Sequence, residues 1–399
     1  MFTNVLGTLT SLLPKNFIFG SYVPVLIFGF VNAALLYAHD AGFRSWAHGE
    51  IEHPLSLTLA VAFVASIVAA YVLSTINDFL RELLEGKFLP PYIAKNLRYS
   101  EWQRLDALNL SYIKKRDQGR ALREELPKWN ERLDNAANAA PLGVTGYDRK
   151  TSDVTAALAE LRAHRDNLKV KHVETAVASM ETALRTWDVD QDHALDDDRS
   201  ALGSLIGDAI NMLAGRELQL FTERQVSFGL RAPEPTRMGN VAGALQSYAN
   251  DLYQLDLDTF WSRLQAVIQD GDKTGYDALV AAKTQLDFLV ACCWLDLGTT
   301  AVWFFSLAAW GSSLLVFALV ALIGPTLFVA FYRLAVTNYL SYGELVRAIV
   351  DLNRFALLKR LHIALPIGIR DERRVWSALR RVASFGEDDV ELSYEHPPS

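Results

Sequence analysis

The sequence predicts an all-α protein, a polytopic helical membrane protein with a cytoplasmic helical-bundle domain. Three observations predict it. Residues 17–38 and 55–76 are free of charge, and each run exceeds the roughly 20 residues that cross a bilayer core. A further apolar region, residues 288–332, carries one charge, Asp296. Between these regions apolar residues recur at helical spacing among charges, with no alternating strand pattern of useful length.

The first run is read as a span rather than a cleaved signal. A signal's apolar core reaches about 15 residues, and no small-x-small cleavage site follows Ala38. With the second run it makes an N-terminal transmembrane hairpin, residues 1–76. Residues 288–332 are too long for one span and predict two helices. The turn is placed at Gly311, Ser312 and Ser313, because a break at Gly324 and Pro325 leaves too short a final span. The C-terminal hairpin is then residues 288–336. Basic flanks fix the expected orientation: Arg81, Lys87, Lys95 and Arg98 follow the second span, and Arg333, Arg347, Arg354, Lys359 and Arg360 follow the fourth. The 39–53 loop holds only Arg44 among Lys and Arg. Four spans with both termini in the cytoplasm satisfy the positive-inside bias, whereas three would export the basic tail.

Residues 77–287 read as a cytoplasmic helical domain with breaks at Pro90 and Pro91, at 139–153, at 188–200, at 231–236 and at 270–275. Within it Trp102, Leu105, Leu108, Leu110, Tyr112 and Ile113 form one predicted stripe, and Val154, Leu158, Leu161, Leu168 and Val173 another. Residues 337–399 read as cytoplasmic helices divided by Pro366. The last sets Arg370, Arg373, Arg374, Arg380 and Arg381 beside Val375, Trp376, Leu379 and Val382. Such a basic amphipathic helix either lies on anionic lipid or docks its apolar face on the cytoplasmic bundle, and docking is the preferred reading.

Few residues point to chemistry. Thr58, Ala62, Ser66, Ala70 and Ser74 recur every four residues in the second span, a small-residue ridge that lets a helix approach closely. Asp296 is the one ionisable residue in the 288–332 run, in functional or structural service, with Thr299 and Thr300 near enough in sequence to satisfy it. Asp188, Asp190 and Asp192 begin like a calcium loop, but His193 and Arg199 stand where Gly and Glu are required, so a solvated acidic loop is expected. His39, Asp40, His48, Glu50, Glu52 and His53 crowd one loop without the spacing of a closed metal site. Cys292 and Cys293, the only cysteines, are adjacent and read as small buried hydrophobes. Phosphate-loop, dinucleotide, zinc-protease and serine-hydrolase motifs are missing, so no catalytic residue, metal or cofactor is assigned, and nothing points to nucleic acid.

The segment Pro235, Thr236, Arg237, Met238, Gly239 and Asn240 is the most pointed feature. Pro233 and Pro235 stop the preceding helix, and Thr236 is a suitable N-cap for the next. Arg237 beside free amides could serve an anion, but a structural clamp onto a carboxylate is the preferred reading. Thr236, Arg237, Gly239 and Asn240 are therefore the candidate anion-binding or clamp residues. The segment resembles one that marks a family of uncharacterised bacterial integral membrane proteins. Residues 74–86 (STINDFLRELLEG), 331–361 and 371–379 (DERRVWSAL) are similar to other parts of that family. Gln254 stands where the family tends to carry Gly, and Ser262 where Pro is usual. The resemblance implies two membrane hairpins around a cytoplasmic helical domain in the bacterial inner membrane, and no activity. The expected function is a membrane-anchored cytoplasmic sensor, scaffold or effector module without evident catalysis, with stress or phage-defence signalling as the context considered. Its expected partners are the lipid bilayer, a cytoplasmic protein and a second copy. The alternatives are an oligomeric channel-like or membrane-disrupting effector, supported by the ridge and Asp296, and an enzyme acting on lipid or nucleotide near Arg237.

Overall fold

The computed structural model describes residues 14–52, 57–139, 148–164, 168–185, 192–310, 314–387 and 392–394. Among these residues the structure is helical, with one isolated antiparallel bridge between Ile363 and Tyr394. Among the described residues four helices are long and apolar enough to cross a membrane: Lys15–His39, Val61–Glu85, Lys273–Ala309 and Leu314–Arg360.

The first of these, α1 (Lys15–His39), widens into a π turn over Ile18–Tyr22. Pro24 follows, and because its nitrogen has no hydrogen to offer Gly20, the ordinary helical ladder is interrupted there. A short helix, α2 (Ala41–Glu52), occupies most of what the sequence presents as a loop. It starts where the Asp40 carboxylate accepts from the Gly42 and Phe43 amides at 2.7 and 3.2 Å, an N-cap that the loop reading overlooked. His53 lies outside the described residues.

Helix α3 (Leu57–Glu85) ends at Gly86, whose φ of +87° reverses the chain before Pro91 opens α4 (Pro91–Asn138). Then come α5 (Asp148–Ala163), α6 (Val170–Arg185), α7 (Asp192–Phe228), α8 (Arg237–Tyr253) and α9 (Leu257–Gly271). The last three are α10 (Lys273–Trp310), α11 (Leu314–Arg360) and α12 (Ile369–Phe385). The predicted turn at 311–313 lies outside the described residues, as do Asp188 and Asp190. Gly324 and Pro325 both sit within α11, and Gly324 faces Thr300 of α10 so closely that a Cβ would overlap its side chain. Helices α3, α10 and α11 continue without a break through positions 76, 287 and 336, where the sequence reading divides membrane hairpin from helical domain.

The chain forms two compact units, one of Met1–Trp102 with Val226–Ser399 and one of Gln103–Gln225. The first has a core in which Leu80 and Leu84 of α3, Val241 and Leu245 of α8, Phe260 and Leu264 of α9, Leu286 and Val290 of α10, and Val346 and Val350 of α11 meet. Trp376 and Leu379 of α12 join it, and the Phe260 and Trp376 rings meet edge to face at 5.6 Å. Trp376 and Leu379 of the basic helix are thus buried against protein, Val375 is half-buried and Val382 is exposed. Its Arg373 donates to the Leu252 carbonyl at 2.8 Å, and Arg374 and Arg381 pair with Asp371 and Glu387.

The second unit is built from the C-terminal part of α4, α5, α6 and most of α7. Leu122, Trp129 and Leu133 pack with Val154, Leu158 and Leu161, with Val173, Val177 and Met180, and with Leu202, Ile206 and Leu213. Arg132 pairs with Glu174 and Glu181 at 2.5 and 2.7 Å, and Trp129 Nε1 donates to Glu174 at 2.7 Å. The predicted stripe around 154–173 is buried throughout. The one on α4 is not: Leu105 is buried, but Trp102, Leu110 and Ile113 are exposed.

Candidate functional site

The residues around the Pro-Thr-Arg-Met-Gly-Asn segment meet at a junction of helix ends. Thr236 caps α8 by accepting from the Gly239 amide at 3.0 Å, and its hydroxyl donates to the Leu84 carbonyl at 2.9 Å. One hydroxyl thus satisfies a free donor of α8 and a free acceptor of α3. Gly239 lies on the Glu85 carbonyl, leaving no space for a Cβ. Asn240 is buried, accepts from the Glu234 amide at 2.6 Å and donates to Glu101 Oε2 at 2.9 Å.

Arg237 has a different setting from its neighbours. Its side chain is 54% exposed and its Nε lies 4.0 Å from Glu101 Oε1, the geometry of a peripheral ion pair rather than of the buried clamp expected. The buried fastening is made instead by Asn240 and Thr236. The three amides after that of Arg237 have partners: Met238 N donates to the Tyr332 hydroxyl at 3.3 Å, Gly239 N to Thr236 Oγ1, and Asn240 N to the Thr236 carbonyl at 3.0 Å. An anion at this helix start would have to displace those bonds.

Beside this junction opens a cleft of about 450 Å³, whose lining includes Arg81, Glu85, Lys87, Arg231, Trp261 and Tyr339. Glu85 is its buried centre. The carboxylate accepts from the Tyr339 hydroxyl at 3.1 Å, and Arg81 Nε and Lys87 Nζ lie 3.4 and 3.2 Å away. Arg81 Nε makes this approach without hydrogen-bond geometry. Acids and bases are interleaved in the cleft, so it presents no single sign of charge.

A second polar network lies among α8, α11 and α12. Tyr248 and Tyr253 both donate to Asp351 at 2.8 Å, and Arg354 Nε pairs with Glu372 at 2.7 Å. The Arg354 guanidinium lies 4.2 Å from the Tyr253 ring centroid, adding a cation–π contact. Burial, followed by the bonds to Asp351, raises both phenol pKa values above the ordinary range, which keeps the hydroxyls as donors. Asp351 and Arg354 stand three residues apart in the sequence, but nothing local marks Glu372 as the partner of Arg354.

Asp296 of α10 is 4% exposed, and its Oδ2 has no hydrogen-bond partner among the described residues. Thr299 does not serve it in the described hydrogen bonds: its Oγ1 accepts from Asn32 Nδ2 at 3.1 Å, and Trp303 Nε1 donates to Asn32 Oδ1 at 2.7 Å. Cys292 and Cys293 are buried free thiols nearby in the same helix. Along the ridge on α3, Ala70 is fully buried and Ser66 half-buried, whereas Ala62 and Ser74 are exposed. Thr58 falls in the helix, but its side chain is outside the described residues. Among the described residues no group of three or more His, Cys, Asp or Glu side chains is placed to hold a metal ion.

No known protein family, curated protein or solved structure matches the chain.

Proposed function

We propose that this chain is a membrane-anchored interaction module of the bacterial inner membrane, akin to the integral membrane proteins its Pro-Thr-Arg-x-Gly-Asn segment resembles. Its four apolar helices lie in the bilayer, and both termini and the Gln103–Gln225 unit lie in the cytoplasm. The outer faces of the apolar helices support membrane placement. Phe30, Val64, Val68, Phe305, Leu314 and Leu322 are all exposed, a surface that favours lipid over water. Basic residues after the second and fourth apolar runs support the orientation.

The observation that carries the interaction reading is the second unit, which closes a hydrophobic core of its own yet leaves Leu110, Ile113, Leu218 and Phe221 exposed. Phe221 packs against Tyr112 at 6.0 Å between ring centroids, a contact between α4 and α7. Large apolar groups grouped on a helical surface mark docking sites for other proteins. A cytoplasmic partner or a second copy of the chain is the occupant expected.

Two measurements test this. Reporter fusions after Ala47 should read external, and those after Gln118 and Ser399 cytoplasmic; an external C-terminus would reject the topology. Photo-crosslinking residues placed at Leu110 and Leu218 of the full-length protein in native membranes should yield a discrete protein adduct that Ile113→Glu abolishes. Adducts with lipid alone would reject the docking reading.

A further inference from the structure

Between α1, α10 and α11 lies a cavity of about 490 Å³ whose walls include Phe28, Val31, Val320, Ile323 and Leu327. Asp296, Thr299 and Thr300 also line it. Its volume falls within the range of about 300–1,000 Å³ that holds drug-sized ligands. Its shape follows from local sequence. Gly324 lets α11 close against Thr300 in the cavity wall, and Asn32, Thr299 and Trp303 tie α1 to α10.

Asp296 is the one Asp, Glu, Lys or Arg of the lining. Its neighbours' polar groups are engaged elsewhere or face Gly324, and Oδ2 stays unmatched in an apolar wall. A buried carboxylate oxygen without a partner is unfavourable, a deficit that a cationic hydrogen-bond donor removes. A buried aspartate at one side of an apolar cavity has the two features that recognise an ammonium group attached to a hydrocarbon body.

We propose that this cavity is a binding site for lipophilic amines, with the ammonium on Asp296 and the hydrocarbon against α1 and α11. The ligand enters from the lipid. The site rests on the membrane placement of these helices, which the reporter fusions read independently of any ligand.

The test uses the full-length protein in phosphatidylcholine nanodiscs, with dodecylamine and its neutral counterpart dodecanol as probes. Native mass spectrometry counts the adducts. Wild-type protein should carry one dodecylamine, at least tenfold tighter than dodecanol, and Asp296→Asn should remove that preference while leaving dodecanol binding unchanged. A second variant, Val320→Trp, keeps the acid but fills the cavity and should lose both adducts, which keeps the test informative if Asp296→Asn fails to fold. Equal binding of dodecylamine by wild type and Asp296→Asn would overturn the proposal. So would wild-type binding of dodecanol as tight as that of dodecylamine, or undiminished amine binding by Val320→Trp.

Discussion

Replacing Gly239 by Ala should destabilise the protein although it improves the helix propensity of α8. In an unconstrained helix interior the change gains about 1 kcal/mol. Here the new Cβ would overlap the Glu85 carbonyl oxygen and lie 3.1 Å from Glu234 Cβ and 3.2 Å from the Glu85 carbonyl carbon. Two of these three atoms belong to the backbone and cannot turn aside. Helix α8 must back away from the end of α3, stretching the 2.9 Å bonds from Thr236 to Leu84 and from Asn240 to Glu101. Overpacking costs about 1–3 kcal/mol, and weakening two hydrogen bonds adds about 1 kcal/mol more. After the propensity gain the net loss is about 2 kcal/mol. Gly243, one turn later, is the internal control: its Cβ would meet only Glu234 Cγ at 3.9 Å, an ordinary contact. Gly243→Ala should therefore gain about 0.5–1 kcal/mol. Equilibrium unfolding of the two purified variants in mixed micelles reads the difference, about 3 kcal/mol. A Gly239→Ala protein as stable as Gly243→Ala would refute the close approach of α8 to α3.

Three further outcomes follow from the packing. Arg354→Ala leaves Glu372, 4% exposed, without its cation and should cost about 3–5 kcal/mol in the same unfolding assay, whereas a loss below 1 kcal/mol would place that pair in solvent. In the second unit, hydrogen bonds from Arg132 lower the Glu174 and Glu181 pKa values. Depressed carboxylates stabilise above their unfolded value of about 4.3 and lose that contribution as pH falls through the folded values, so the stability gap between wild type and Arg132→Met should shrink below about pH 4.3. Since Arg132 and Glu174 are both more than a third exposed, the gap itself should be about 1 kcal/mol or less at pH 7; a gap that widens in acid contradicts the assignment. On α3, Ala70→Leu should lower the unfolding midpoint through overpacking, while the exposed Ala62→Leu leaves it unchanged, and equal midpoints would show that neither position is packed.

Much of the architecture is legible in the residues because apolar run length and helical period are local properties. The charge-free residues 17–38 lie within α1, and the stripe from Val154 to Val173 forms the core of the second unit. What periodicity leaves open is the partner. It marks Trp102, Leu110 and Ile113 as one face of α4, yet they are exposed, because an apolar face needs a facing helix to become a core. The junction at Thr236 shows the same limit. Its N-cap is visible from Pro235 and the helix that follows, but Glu101, which receives Asn240, is 139 positions away and nothing local announces it. Arg237 is the charged member of the segment, but the deeper contacts belong to its uncharged neighbours Thr236 and Asn240. At Gln254 the chain takes a left-handed φ of 62°, a conformation that favours glycine and that no local pattern in the sequence announces.

The bond from Thr236 to the Leu84 carbonyl joins residues 152 positions apart. At synthesis rates of about 5–20 residues per second, the end of α3 therefore waits about 8–30 s before the segment that covers it leaves the ribosome. During that interval Leu84 and the Glu85 carboxylate lack α8 and the Tyr339 hydroxyl. The residues made meanwhile are chiefly those of the second unit, whose hydrophobic core is drawn from its own span of chain. Biogenesis thus has a built-in order, in which the inserted unit can fold first and the unit that encloses its ends is completed last.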